Sequence, residues 1–259
     1  MNRLAITTRE LDISRHVALA SQYQTGIELQ VYGYNPDLLD GDWRSLVASH
    51  REALRGFTGE IALHGAFYDM NSASADSRIT ALTVERYRAS LRVAAELGAR
   101  HTVFHANYLP FIQHPSYLPE WTRKQVAFWD ALTEEARRLG LIIALENMWE
   151  PEPDIIAAVL EEVNSPHLRA CLDIGHVYLY SNSLPFPDWL KRLGNWVVHV
   201  HANNHRGHYD EHLPLDVEGG AVDYSAVLPL LSELPSPPLV SLEMEHTEDL
   251  ERSLRYLGR

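Results

Sequence analysis

Cysteine occurs once in 259 residues, as Cys171, which excludes a disulfide framework and a cysteine-rich zinc site. No apolar run approaches the roughly 18 residues needed to cross a bilayer, so no membrane partner is expected. The opening segment MNRLAITTRELDIS has no long apolar stretch of the secretory type. A soluble chain in a reducing, cytoplasmic compartment is the expectation. Basic residues are also scarce: 22 Lys and Arg against 35 Asp and Glu leave a net charge of −13. Nucleic-acid binding relies on Lys and Arg to neutralise phosphates, so the balance disfavours that partner, although a basic patch or bound divalent ions would reverse it. No Ser/Gly linker, charge block or low-complexity tract divides the chain, and its length matches one α/β barrel. A single domain over 1–259 is expected.

What the chain does contain is a repeated pattern. Short apolar runs begin at Leu4, Gly26, Glu60, His101, Leu141, Arg169, Trp196 and Leu239. Near-continuous apolar runs of this length read as strands buried on both faces, as in a parallel sheet. Helical periodicity lies between them, most clearly over Ser77 to Leu97 and Glu120 to Leu139, with Gly98 and Gly140 placed as left-handed caps. Thr247 to Leu257 closes the series. Eight strands alternating with helices predict an α/β fold, a (β/α)8 TIM barrel; an open doubly wound sheet is less favoured because no GxGxxG follows the first strand.

The polar residues fall at one place in each unit. His64 ends the third run, His105 the fourth and Glu146 the fifth; Asp173 ends the sixth with His176 just beyond, His201 ends the seventh, and Glu243 lies in the eighth. Barrel sites form at the C-terminal ends of strands, so these residues are expected to share one mouth. Each alone has an ordinary reading: a hydrogen-bonded core histidine, a helix cap, a turn. Together, buried carboxylates at strand ends are costly unless paired or coordinating a cation. His, Asp and Glu without Cys suit zinc, manganese, cobalt or magnesium. Asp210 and His212, in the loop after the seventh run, can bite the same or another ion, while His199 is expected lower in the barrel. Arg206 is a candidate clamp for an anion or hydroxyl. The aromatics Phe67, Tyr68, Tyr108, Phe111, Trp149, Tyr178 and Tyr180 are candidates for a pocket wall, Trp149 among them for substrate contact.

Six segments in order, LHGAFYDMN, ALENM, CLDIGH, HVHANN, DEHLPL and SLEME, resemble the xylose isomerase-like TIM-barrel superfamily, which includes sugar and sugar-phosphate isomerases and epimerases and the endonuclease IV type of apurinic endonuclease. The resemblance to its ketose epimerases implies one divalent ion held by Glu146, Asp173, His201 and Glu243. It also implies a metal-stabilised enediolate, with Glu146 and Glu243 moving the proton from opposite sides and His176 near the substrate. The resemblance to endonuclease IV implies three zinc ions held by nine ligands, with His64, His105, Glu146, Asp173, His176, His201, Asp210, His212 and Glu243 as the candidates, so one to three divalent ions per chain are expected between the two readings. A small carbohydrate is the expected substrate and abasic DNA the rival; a homo-oligomer is compatible with either. Where the superfamily has Pro-Leu-Gly-Glu-Gly, this chain has Pro214-Leu215-Asp216-Val217-Glu218-Gly219-Gly220, so a reshaped pocket loop is expected.

Overall fold

A computed structural model describes residues 3–259. Its strands are β1 (Leu4–Thr8), β2 (Gly26–Leu29), β3 (Ile61–His64), β4 (His101–His105), β5 (Ile142–Glu146), β6 (Leu168–Asp173), β7 (Val197–Ala202) and β8 (Leu239–Leu242). All are parallel and pair in chain order, and β8 closes on β1 through Leu4–Val240, Ala5–Ser241 and Ile6–Leu242. The helices are α1 (Ser14–Gln22), α2 (Val31–Tyr34), α3 (Pro36–Asp40), α4 (Trp43–Ala53), α5 (Ser77–Leu97) and α6 (Tyr117–Leu139), followed by α7 (Asp154–Val163), α8 (Ile174–Tyr180), α9 (Phe186–Leu193), α10 (Tyr224–Ser232) and α11 (Thr247–Tyr256). The expected (β/α)8 barrel is the observed architecture. Among the described residues, no helix is long and apolar enough to cross a membrane.

The two-residue period of a strand sorts side chains into two populations. On β4 and β5, Phe104, Ile143 and Leu145 belong to the large outer core, with Tyr87 of α5 and Trp129 of α6. The alternate residues Val103, Ala144 and Cys171 form a separate small cluster. The same alternation carries the polar positions inward in pairs: His101 and His105, His199 and His201, Glu28 and Gln30. Small residues in the lower layers leave room for these groups.

Helix ends follow local chemistry. Gly98 and Gly140 both take φ of 72°, and their N–H groups return to Ala95 and Arg137 carbonyls. α6 begins at Tyr117, three residues before the expected Glu120, because Pro119 falls in the first turn, where the missing N–H costs nothing. β2 stops at Leu29, short of the expected Val31, because Gln30 turns the chain into α2.

Candidate metal centre

The C-terminal ends of six strands converge on one point. Nδ1 of His201 lies 3.0 Å from Glu146 Oε1, 3.3 Å from Glu243 Oε2 and 3.9 Å from Asp173 Oδ2. All four side chains are almost completely buried. Among the described residues, ligand-type atoms form four groups in mutual reach: His64, His105 and Glu146; Glu146, Asp173 and His176; Asp173, His201 and Glu243; and Cys171, His199 and His201. Asp210 joins from the loop after β7, its Oδ2 lying 3.2 Å from His176 Nε2 and 2.8 Å from His212 Nε2. All nine residues expected as ligands therefore gather at the mouth.

Local sequence explains how they get there. Asp173 caps α8, accepting the backbone N–H of His176 at 2.6 Å, so the Asp-Ile-Gly-His segment turns two candidate ligands toward the same side. Gly175 is required: a Cβ there would stand 2.3 Å from Oδ1 of Asn203, whose Nδ2 donates to Asp173 Oδ2. Asn147 holds the backbone of Asp173 on both edges, donating to its carbonyl at 3.0 Å and accepting its N–H at 2.9 Å. His212 adopts φ of 50°, a left-handed conformation unusual for a non-glycine residue and common where a site fixes its geometry.

Four of the imidazoles are oriented as metal ligands usually are, with one nitrogen tied to an acceptor and the other turned to the centre. Nδ1 of His64, His176 and His212 donates to the carbonyls of Gly65, Asn147 and Glu243 at 2.9, 2.8 and 3.1 Å. That leaves Nε2 of each facing a carboxylate. His201 is inverted: its Nε2 points to Glu28 at 3.1 Å, and Nδ1 faces the centre. Glu28, in the middle of β2 and fully buried, was not anticipated from the sequence. It also receives His199 Nε2 at 2.8 Å, and His199 Nδ1 lies 3.3 Å from His101 Nδ1 one layer down. His199 thus occupies the lower position expected for it.

Electrostatics favour a cation at this point. Burial alone would raise every carboxylate here. Instead the imidazoles of His201 and His105 hold Glu146 well below the ordinary range, and those of His201 and His199 do the same for Glu28. Asp173 lacks enough compensation: burial, reinforced by Glu243 and Glu146 against the opposing pull of His176, pushes it up to about 7. His212 rises to about 9, because Glu243 and Asp210 outweigh its burial. Glu243 Oε2 and Asp210 Oδ1 are buried without a hydrogen-bond partner. Orphaned anionic oxygens beside correctly oriented imidazoles fit a divalent ion, since buried charges are otherwise expensive.

A cavity of about 270 Å³ opens above the centre, lined by Glu146, Asp210, Glu243, Phe67, Tyr68 and Tyr34 among others. Arg206 is not in its lining: its guanidinium and backbone N–H are both held by Glu211, so it does not reach the mouth. Trp149 also lies outside the lining, half exposed, as do Tyr108, Phe111, Tyr178 and Tyr180. Arg9 lines the cavity and was missed, because β1 ends in threonine and presents no acid or imidazole to draw attention to the loop beyond. Glu150 was missed too: it is buried, raised by that burial to about 7, and accepts the backbone N–H groups of Met148 and Tyr108. A larger groove of about 930 Å³ runs between α5 and α6, but it contains none of the strand-end residues.

Residues 17–259 match the family model described as xylose isomerase-like TIM barrel. An uncharacterised protein of Methanocaldococcus jannaschii is 30% identical over 204 residues, 76% of this chain and 69% of that protein. The TTHB071 protein of Thermus thermophilus, from a structure soaked with ZnCl2, superposes with a TM-score of 0.81 at 29% identity, covering 100% of this chain and 97% of that one. A D-tagatose 3-epimerase-like protein gives a TM-score of 0.83 at 24% identity, over 99% and 96% of the two chains. With its barrel and nearly its whole length matched, the chain belongs to the xylose isomerase-like TIM barrel family.

Proposed function

We propose that this protein is a divalent-metal-dependent sugar isomerase or epimerase that moves a proton on a carbon next to a carbonyl. One observation carries the reading: Glu146 and Glu243 meet at His201 Nδ1, at 3.0 and 3.3 Å, with Asp173 completing the group. Glu146, Asp173, His201 and Glu243 would hold the ion, which as a Lewis acid polarises a carbonyl and its neighbouring hydroxyl. The rest is done by the protein. Glu243 Oε1 accepts from Gln30 Nε2 at 2.7 Å, which fixes the carboxylate and leaves Oε2 free of hydrogen bonds. That oxygen takes the proton as the substrate C–H bond breaks and its electron pair moves toward the carbonyl oxygen. For inversion, Glu146 enters this half of the cycle carrying a proton and delivers it to the opposite face of the carbon, ending ionised, while Glu243 ends protonated and gives its proton up to solvent; return of the abstracted proton by Glu243 to the adjacent carbon gives the isomer instead. Positioned acid–base groups of this kind contribute roughly 10²–10⁴-fold. Phe67 and Tyr68 wall the cavity and exclude water. The D-tagatose 3-epimerase-like neighbour agrees with this chemistry at the level of fold.

The test is incorporation of solvent deuterium into ketoses such as D-fructose, D-tagatose, D-allulose and D-ribulose by protein loaded with Mn²⁺, Co²⁺, Zn²⁺ or Mg²⁺. Exchange is expected with at least one sugar; none across the panel, with metal bound, overturns the proposal. A second reading, an endonuclease IV-like phosphodiesterase acting on abasic DNA, is favoured by the gathering of His64, His105, His176, Asp210 and His212 around the same centre. Three ions per chain by elemental analysis, together with cleavage of an abasic duplex, would select it; a single ion and proton exchange select the isomerase.

A further inference from the structure

Among the described residues, Arg9 is the one Arg or Lys that lines the cavity, and its guanidinium is contacted on several sides. Nη1 donates to Glu245 Oε1 at 2.7 Å, Nε to Gln30 Oε1 at 3.4 Å, and the group lies over the ring of Tyr34, 4.1 Å from its centroid. Tyr34 is itself held edge-on by Phe67 and Tyr68 at 4.9 and 5.8 Å, so the platform under the guanidinium is rigid. Gln30 connects the arrangement to Glu243, whose Oε1 it holds. Nη2, the remaining guanidinium nitrogen, is shielded from water and donates to no acceptor among the described residues. A buried donor left unpaired is destabilising, and such groups in native proteins call for a reason.

The surrounding charge narrows what would satisfy it. The positive charge of Arg9 is already balanced by Glu245, and the other acidic residues of the lining are Glu146, Asp210 and Glu243. No unpaired guanidinium or ammonium stands there to receive a phosphate or carboxylate, whereas a hydroxyl oxygen accepts one N–H without adding charge. We infer that Arg9 is a specificity-determining residue: its guanidinium turns in its own plane over Tyr34 so that Nη2, closed to water while the cavity is empty, donates to a hydroxyl oxygen of an uncharged sugar on the part of the carbon chain away from the reacting carbon; this rests on the isomerase reading above. Tyr34 acts as the positioning platform that keeps the guanidinium flat against the cavity wall.

The experiment pairs substrate changes with protein changes. The metal-loaded wild-type protein, Arg9→Met and Arg9→Lys are each assayed for deuterium exchange with the ketose that wild type turns over, its monodeoxy analogues and its phosphate ester. Circular dichroism confirms that each variant is folded. For wild type, one monodeoxy analogue is expected to lose roughly tenfold or more in kcat/KM, mostly through KM, because a site built to bind a hydroxyl rejects the analogue lacking it. In Arg9→Met that discrimination disappears; in Arg9→Lys it is reduced. The phosphate ester is expected to be the poorer substrate of wild type. Equal discrimination by wild type and Arg9→Met, or preference for the phosphate ester, overturns the assignment of Arg9 while leaving the isomerase reading intact. Absence of exchange with every sugar overturns both, and calorimetric titration of the same ketose and its phosphate ester into metal-loaded protein reads the preference independently of turnover.

Discussion

Replacing Glu28 with glutamine removes one formal charge and leaves the shape of the side chain almost unchanged. In the barrel this carboxylate is fully buried and accepts from His199 Nε2 at 2.8 Å and from His201 Nε2 at 3.1 Å. With an ion at the centre, both imidazoles would keep their proton on Nε2, and Nδ1 of His201 would offer its lone pair where Glu146, Asp173 and Glu243 meet. An amide has only one oxygen. Its NH2 group must face one of the two histidines, and facing His201 it forces that proton onto Nδ1, the coordinating atom. Loss of such an orienting partner typically costs 10–100-fold in metal affinity, about 1.4–2.8 kcal/mol at the centre. Chelator competition with Zn²⁺ or Mn²⁺ measures it, and denaturant unfolding of the metal-free variant separates a stability loss from a binding loss. A Glu28→Gln protein that is folded and binds metal as tightly as wild type refutes the idea that Glu28 fixes the tautomer of His201.

Other outcomes follow from the same geometry. Glu146→Gln and Glu243→Gln should each slow deuterium exchange by roughly 10²–10⁴-fold, with Glu243→Gln retaining the more metal, because Glu146 meets four imidazoles and Glu243 has one oxygen held by Gln30. Gly175→Ala places a methyl group against Asn203 and should cost about 1–3 kcal/mol of stability, read from the denaturant midpoint, and lower metal affinity with it. His212 titrates near 9 in the folded chain and near 6.5 when unfolded. Its raised value stabilises the metal-free protein fully below about 6.5, and that contribution is lost as pH climbs through 9. The melting temperature of chelator-treated protein should fall over that range, and less so in His212→Asn. Because protonated His212 sets a positive charge beside Glu243 and Asp210, metal affinity should rise over the same interval as that charge is lost.

Much of this was legible in the chain. Parallel strands buried on both faces leave apolar runs that are easily counted, and the residues closing those runs were the ones brought together at the mouth. What escaped notice did so for physical reasons. Glu28 sits inside an apolar run, where a reading confined to strand ends does not look, although a charge in GIELQ already signals a buried partner. Arg206 was a candidate clamp because its fork suits an anion or hydroxyl, but Glu211, five residues on, captures it first. Arg9 acquires meaning only through Tyr34 and Glu245, partners that closure of the barrel supplies and no local pattern announces. Strand boundaries shifted where a polar inward residue such as Gln30 also opened a helix.

The segment that delivers Asp210 and His212 is bolted down at several places. Asn204 and Leu213 exchange backbone hydrogen bonds, the Asn204 amide reaches the carbonyls of Leu215 and Val222, Ser253 of α11 accepts the N–H of Leu215, and Arg252 grips Asp216. The inserted stretch around Asp216 is thus riveted to the last helix, which serves as scaffolding for the pocket. Traffic in and out of the mouth then falls to the flank formed by Tyr68 and Glu245, the half-exposed side chains on its rim.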